Sequence, residues 1–158
     1  MQLIQLLTYG KLKEPYLRAA CAEYEKRLSR FCKLQCVELE PVSLPERPSE
    51  KEIAAALEKE AQPLLRRKKG FTIAMCIEGK QLDSPQFAKL LQRAAVQGET
   101  AVTLLIGSSY GLAECVKQAA DLRLSMSAMT FPHQLARVML LEQIYRGYQI
   151  LGGSPYHK

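Results

Sequence analysis

A chain of 158 residues with 47% hydrophobic and 24% charged residues has material for one compact core spanning 1–158, and excludes fibrous, low-complexity and largely disordered classes. A net charge of +6 and a pI near 9.1 suit an anionic partner such as nucleic-acid phosphate. Five cysteines, an odd number spread along the chain, read as buried thiols in a reducing, cytoplasmic setting rather than as a disulfide framework or a zinc site.

The opening apolar run Met1 to Thr8 has no basic residues before it and no small-residue cleavage site after it, so it reads as a strand. No apolar stretch reaches the roughly 18 residues of a membrane helix. Glu14 to Phe31 repeats Tyr16, Leu17, Ala20, Tyr24 and Leu28 at helical spacing. Leu34 to Leu39 is the second strand. The three prolines between Pro41 and Pro48 mark an irregular excursion, and Ser49 with Glu52 forms a capping box that starts a helix to Arg67, kinked at Pro63. Its basic end, Arg66 to Lys69, reads equally as a solvated helix terminus or as an RNA-facing patch.

Phe71 to Ile77 is the third strand, Pro85 to Ala95 a helix capped by Asp83-Ser84, and Ala101 to Ile106 the fourth strand. The turn Gly107 to Gly111 leads into a short helix, Leu112 to Ala119, and then a fifth strand, Leu122 to Met126. The last helix is expected from Phe131-Pro132 to Leu151, where Gly152-Gly153 stops it. Its apolar residues wrap much of the circumference, so it should pack on its own sheet and on a second surface, which a homodimer would supply. The alternation predicts an α/β fold, a mostly parallel sheet of five or six strands with helices on both faces.

Ligands of open α/β sheets gather at the carboxyl ends of strands. Three loops lie there: Glu78-Gly79-Lys80, Gly107 to Gly111, and Ser125 to Thr130. The second is neither a phosphate loop nor a dinucleotide fingerprint, and no serine elbow surrounds Ser125 or Ser127, so nucleotide hydrolysis and serine hydrolysis lose support. Gly107 would let backbone approach a flat ligand, although an ordinary turn explains the same residue. His133 and Arg137, one helical turn apart, either hold a phosphate or merely decorate the helix. A basic RNA-binding module without catalysis is the alternative to an enzyme.

The run Ser127-Ala128-Met129-Thr130-Phe131-Pro132-His133-Gln134-Leu135-Ala136-Arg137-Val138, with Gly10 to Lys13, Ala22 to Leu28, Leu104 to Gly107, Tyr110 to Leu112 and the ending Pro155-Tyr156-His157-Lys158, resembles the ribosomal large subunit pseudouridine methyltransferase H family, within the trefoil-knotted SPOUT methyltransferases. The resemblance covers essentially the whole chain. It implies a C-terminal trefoil knot, which general topology rules disfavour, and a homodimer without metal or membrane contact. It also implies methyl transfer from S-adenosylmethionine to N3 of a pseudouridine in the helix 69 loop of large-subunit (23S) ribosomal RNA.

By position, the family's cofactor contacts fall on Met75, Gly107, Met126, Ser127, Ala128, Met129, Thr130 and Phe131; for Met75 and Met126, core packing is the bland alternative. Tyr156 and His157 are expected to hold the base or assist loss of its proton, with Arg137 on phosphate. The chain departs from the family at Ser108, where a second glycine is usual.

Overall fold

A computed structural model describes residues 1–158. Ten elements alternate strictly: β1 (Leu3–Tyr9), α1 (Pro15–Leu28), β2 (Lys33–Leu39), α2 (Glu50–Arg67), β3 (Phe71–Gln81), α3 (Ser84–Val96), β4 (Ala101–Leu105), α4 (Glu114–Ala119), β5 (Leu122–Ser125) and α5 (His133–Leu151). The five strands form one sheet in the order β2-β1-β4-β3-β5, and every pairing is parallel. The sheet is therefore wholly parallel, with five strands rather than six.

Successive strand residues point to opposite faces, and the two cores follow that period. Ile4, Leu6, Ile73 and Leu104 face α1, α3 and α5, whereas Leu7, Ala74 and Leu105 face α2 and α4. Ile4, Leu6, Leu7, Ile73, Leu104 and Leu105 are fully buried, each contributing about 1.5–3 kcal/mol of apolar transfer free energy. Such a sheet, covered on both sides, explains why its strands read as continuous apolar runs.

Helix starts follow local chemistry. The capping box of Ser49 and Glu52 is present, and Asp83 with Gln86 forms a second one. Helix α2 continues through Pro63 to Arg67. Helix α4 begins at Glu114 rather than Leu112, since Ala113 is its N-cap and has extended backbone, while Leu112 and Ala113 are buried in the core with Ala61 and Leu64 of α2. Helix α5 begins at His133, with Pro132 as an extended N-cap residue instead of a first-turn residue.

The largest departure from expectation is β3. It runs on through Glu78, Gly79 and Lys80, where the sequence reads as a turn, and Lys80 and Gln81 pair with Leu124 and Ser125 of β5. A Cβ on Gly79 would lie 2.7 Å from backbone atoms of Arg123 and Leu124. Only glycine permits two stretches of chain to cross that closely. This crossing, and the segment 126–132 leading from the edge strand back to α5, fit the threading that the resemblance implies.

Helix α5 packs on α1 and α3 within its own chain, while Val138, Met139, Ile150 and Leu151 stay half-buried. Tyr145 packs on Tyr24, and Phe31 stacks on Tyr148 at 5.8 Å, while Gly147 admits Leu91 and Ala88 of α3. Leu135 remains exposed on α5, as does Tyr16 on α1. No helix is long and apolar enough to cross a membrane.

Candidate active site

Because all strands are parallel, their carboxyl ends share one rim. There the loops after β4 and β5 and the outer part of β3 enclose a cavity of about 820 Å³, within the range of small-molecule sites. It is lined by Met75, Gly107 and the run Met126 to Phe131, Ala128 excepted. Ala128, Met129 and Thr130 are exposed at the mouth. The residues expected to contact the cofactor, dispersed over more than fifty positions of sequence, thus meet in one place, with Ala128 beside it.

The turn after β4 has a specific construction. A Cβ on Gly107 would lie 2.3 Å from the backbone carbon and oxygen of Gly111. Ser108 and Gly111 form an antiparallel bridge, closed by the Gly111 N–H donating to the Ser108 carbonyl at 2.9 Å, and Gly111 takes φ 86°, which glycine tolerates. The space beside Gly107 is therefore filled by the chain itself. Glycine here serves the turn, and the expectation that it is needed to leave room for a ligand is corrected accordingly.

Ser108, which stands where glycine is usual, has an ordinary backbone conformation, since no non-glycine residue has positive φ. Its hydroxyl donates to Oε1 of Glu60 at 2.7 Å. The loop after β5 is organised by its own serines. The Ser125 hydroxyl donates to the Ser127 carbonyl at 3.0 Å, and Oγ of Ser127 accepts the Met129 N–H at 3.0 Å, a local turn of the kind serine supports. At the rim Lys117 pairs with Glu78.

His133 also lines the cavity. Burial, and then the Arg137 charge, hold its imidazole below its ordinary pKa. Arg137 is not an RNA-facing cation in this fold. Its side chain is 5% exposed and pairs with Glu38 at 3.1 Å, and it donates to the Gly10 carbonyl at 3.2 Å. Its Nε has no partner. The residue ties the start of α5 to the ends of β1 and β2, and its charge is already engaged there.

The tail folds back on α5. Tyr156 packs edge-on against Tyr145 at 5.0 Å, its hydroxyl donates to Glu142 at 3.3 Å, and the Arg146 guanidinium lies 4.8 Å over its ring. Burial and the Glu142 carboxylate raise the Tyr156 phenol pKa. Arg146 pairs with Glu142 at 2.7 Å and lies 3.2 Å from Nδ1 of His157. His157 lines a second cavity, of about 710 Å³, which shares Met75, Leu124, Ser125 and Met126 with the first. The tail's cavity thus adjoins the first one through these four residues, of which Met75 and Met126 are expected cofactor contacts. Glu60, Glu142 and Arg146 are the polar groups around these sites that sequence reasoning missed.

The first cavity fits a flat, partly apolar cofactor. Met75, Met126 and Phe131 supply apolar walls, and the loops at the strand ends offer backbone groups outside the ladder. No cluster of three or more His, Cys, Asp or Glu is arranged to hold a metal ion.

A family model described as "Predicted SPOUT methyltransferase" matches residues 1–157. The chain belongs to the SPOUT methyltransferases. It is 50% identical over 157 residues to a ribosomal RNA large subunit methyltransferase H of Clostridium beijerinckii, covering 98% of this chain and 99% of that protein. A protein of the same name from Streptococcus thermophilus is 48% identical over equal coverage. Among solved structures, a probable methyltransferase of Bordetella pertussis superposes with a TM-score of 0.54 at 13% identity, covering 92% of this chain and 95% of that one. At that identity the likeness concerns the fold. For this SPOUT methyltransferase it agrees with the α/β fold.

Proposed function

We propose that this SPOUT methyltransferase methylates large-subunit ribosomal RNA, transferring the methyl group of S-adenosylmethionine to N3 of a pseudouridine in the helix 69 loop, as a cytoplasmic homodimer with a trefoil-knotted chain. The observation that carries the reading is the convergence of Met75, Gly107 and the 126–131 loop on one cavity at the carboxyl rim of a parallel sheet. The substrate class rests on relatives of 48–50% identity over nearly the whole chain that bear the large-subunit methyltransferase name.

The chemistry asks for alignment more than for a reactive side chain. When bound, S-adenosylmethionine supplies an electrophilic methyl on sulfur; the S–CH₃ bond breaks, an N–CH₃ bond forms at N3, and the N3 proton leaves. Met75, Met126 and Phe131 would hold the cofactor between apolar walls, and Met129, 72% exposed, would close over it from the mouth. His133, held below its ordinary pKa, presents a neutral imidazole at the same rim near pH 7.

Tyr156 and His157 are assigned to the substrate. Tyrosine stacks on an unpaired loop base, and the Arg146–His157 pair offers a polar group for phosphate or for the departing proton. In its own chain His157 lines the adjoining cavity and not the first one, and a second copy would bring these groups to the first. The exposed Leu135 and Tyr16 would lie in the contact between copies. Light scattering should then give twice 17.8 kDa.

The test is mass spectrometry of ribosomal RNA from a strain lacking the gene, before and after complementation. Loss and return of one methyl on a helix 69 pseudouridine is the expected result. Unchanged RNA, together with no S-adenosylmethionine binding by calorimetry, would leave a basic RNA-binding module in place of an enzyme.

A further inference from the structure

The turn that rims the cofactor cavity is held from behind by a buried carboxylate. Glu60 of α2 is 5% exposed. Its carboxylate accepts the Ser108 hydroxyl at 2.7 Å and the Val42 N–H at 3.0 Å, and its backbone carbonyl accepts the Tyr9 phenol. None of the chain's ion pairs includes it. A buried carboxylate with neutral donors alone is an expensive way to stabilise a fold, since well-packed apolar residues do so at lower cost.

What that carboxylate touches gives it a role. Ser108 opens the turn and is bridged to Gly111, so fixing its side chain fixes the turn, all five residues of which, Ser108 included, line the cavity. A hydroxyl donating to a carboxylate is a strong, directional tether. Through the Val42 N–H the same carboxylate also holds the proline-rich excursion 41–48.

We propose that Glu60 is a positioning residue for the methyl donor: acting through Ser108, it sets the shape of the Gly107–Gly111 turn and thereby the affinity of the cavity for S-adenosylmethionine. The inference rests on the cavity being the S-adenosylmethionine site. Glu60 touches no reacting atom.

Calorimetric titration of S-adenosylmethionine into the full chain and into Ser108→Ala, Ser108→Thr and Glu60→Gln, with thermal unfolding in parallel, tests it. Ser108→Ala should raise Kd and KM for S-adenosylmethionine about tenfold, the scale of one lost charge-assisted hydrogen bond, with kcat at saturating donor within about twofold of wild type. Ser108→Thr keeps the hydroxyl and should restore affinity. Glu60→Gln should weaken binding in the same direction. Ser108 lies in a surface turn, so its alanine variant carries the test even where Glu60→Gln folds poorly. Wild-type affinity in Ser108→Ala, whatever its unfolding temperature, overturns the positioning role while leaving the site reading intact. No binding by the wild-type chain overturns both.

Discussion

Replacing Gly107 with alanine should damage the turn first and cofactor binding through it. The added Cβ would lie 2.3 Å from the carbon and oxygen of Gly111 and 2.8 Å from its Cα, whereas ordinary contact begins at 3.4 Å. The Gly111 backbone must therefore retreat by about 1 Å, against the Ser108–Gly111 bridge and the Ser108–Glu60 hydrogen bond. Backbone gives way less easily than the end of a side chain, and overpacking of this kind costs about 1–3 kcal/mol. At about 2–4 °C per kcal/mol for a chain of this size, Tm should fall by roughly 2–12 °C. Valine, branched at Cβ, should do worse. Differential scanning fluorimetry and calorimetric titration of one preparation read both quantities. Lost S-adenosylmethionine binding at an unchanged Tm would refute the reasoning, because the space beside Gly107 would then belong to the ligand and not to Gly111.

Met129→Ala is the converse case: the side chain is 72% exposed at the cavity mouth, so Tm should hold within about 1 °C while S-adenosylmethionine affinity drops several-fold; equal affinity would remove Met129 from the site. Deleting Tyr156 to Lys158 should abolish methyl transfer to ribosomal RNA while leaving donor affinity and the oligomeric state nearly intact, and a wild-type rate in a ribosome methylation assay would relegate the tail to packing on Tyr145 and Glu142. His133 sets a pH dependence with a definite sign. Its folded pKa lies below 6.5, so the unfolded chain takes up the proton first and stability falls as pH drops through 6.5 toward the folded value. Unfolding temperatures measured across that window should show a shallower slope in His133→Gln than in the wild type, and parallel slopes would dismiss the histidine's part.

Element order and sheet type were legible because strands and helices impose different apolar periods, and both survive in the sequence. The extension of β3 was not. Glu78-Gly79-Lys80 is polar and contains glycine, as a turn does, and its pairing with Leu124 and Ser125 depends on where the chain passes after β5. Gly107 stood out as a special position, but a lone glycine does not reveal whether ligand or chain occupies the missing side chain's place. Glu60 was missed although a signal existed. It lies four residues from both Ala56 and Leu64, on the buried stripe of α2, so a charge on an apolar face marks it.

Arg137 shows how the site is held as well as how it was misread. Helical spacing puts it on one face with His133, but spacing does not say that this face turns inward onto Glu38 and Gly10. Seen in the fold, the pair anchors α5 one turn beyond the 126–132 segment, while buried Ser125 fixes that segment's other end through the Ser127 carbonyl. A short loop fixed at both ends loses little entropy when its middle closes on a ligand. Ala128, Met129 and Thr130, the exposed centre of the loop, are then free to adjust while Met126 and Phe131 stay in place. Arg137 thus acts by limiting the freedom of the 126–132 loop, its charge already engaged inside the chain.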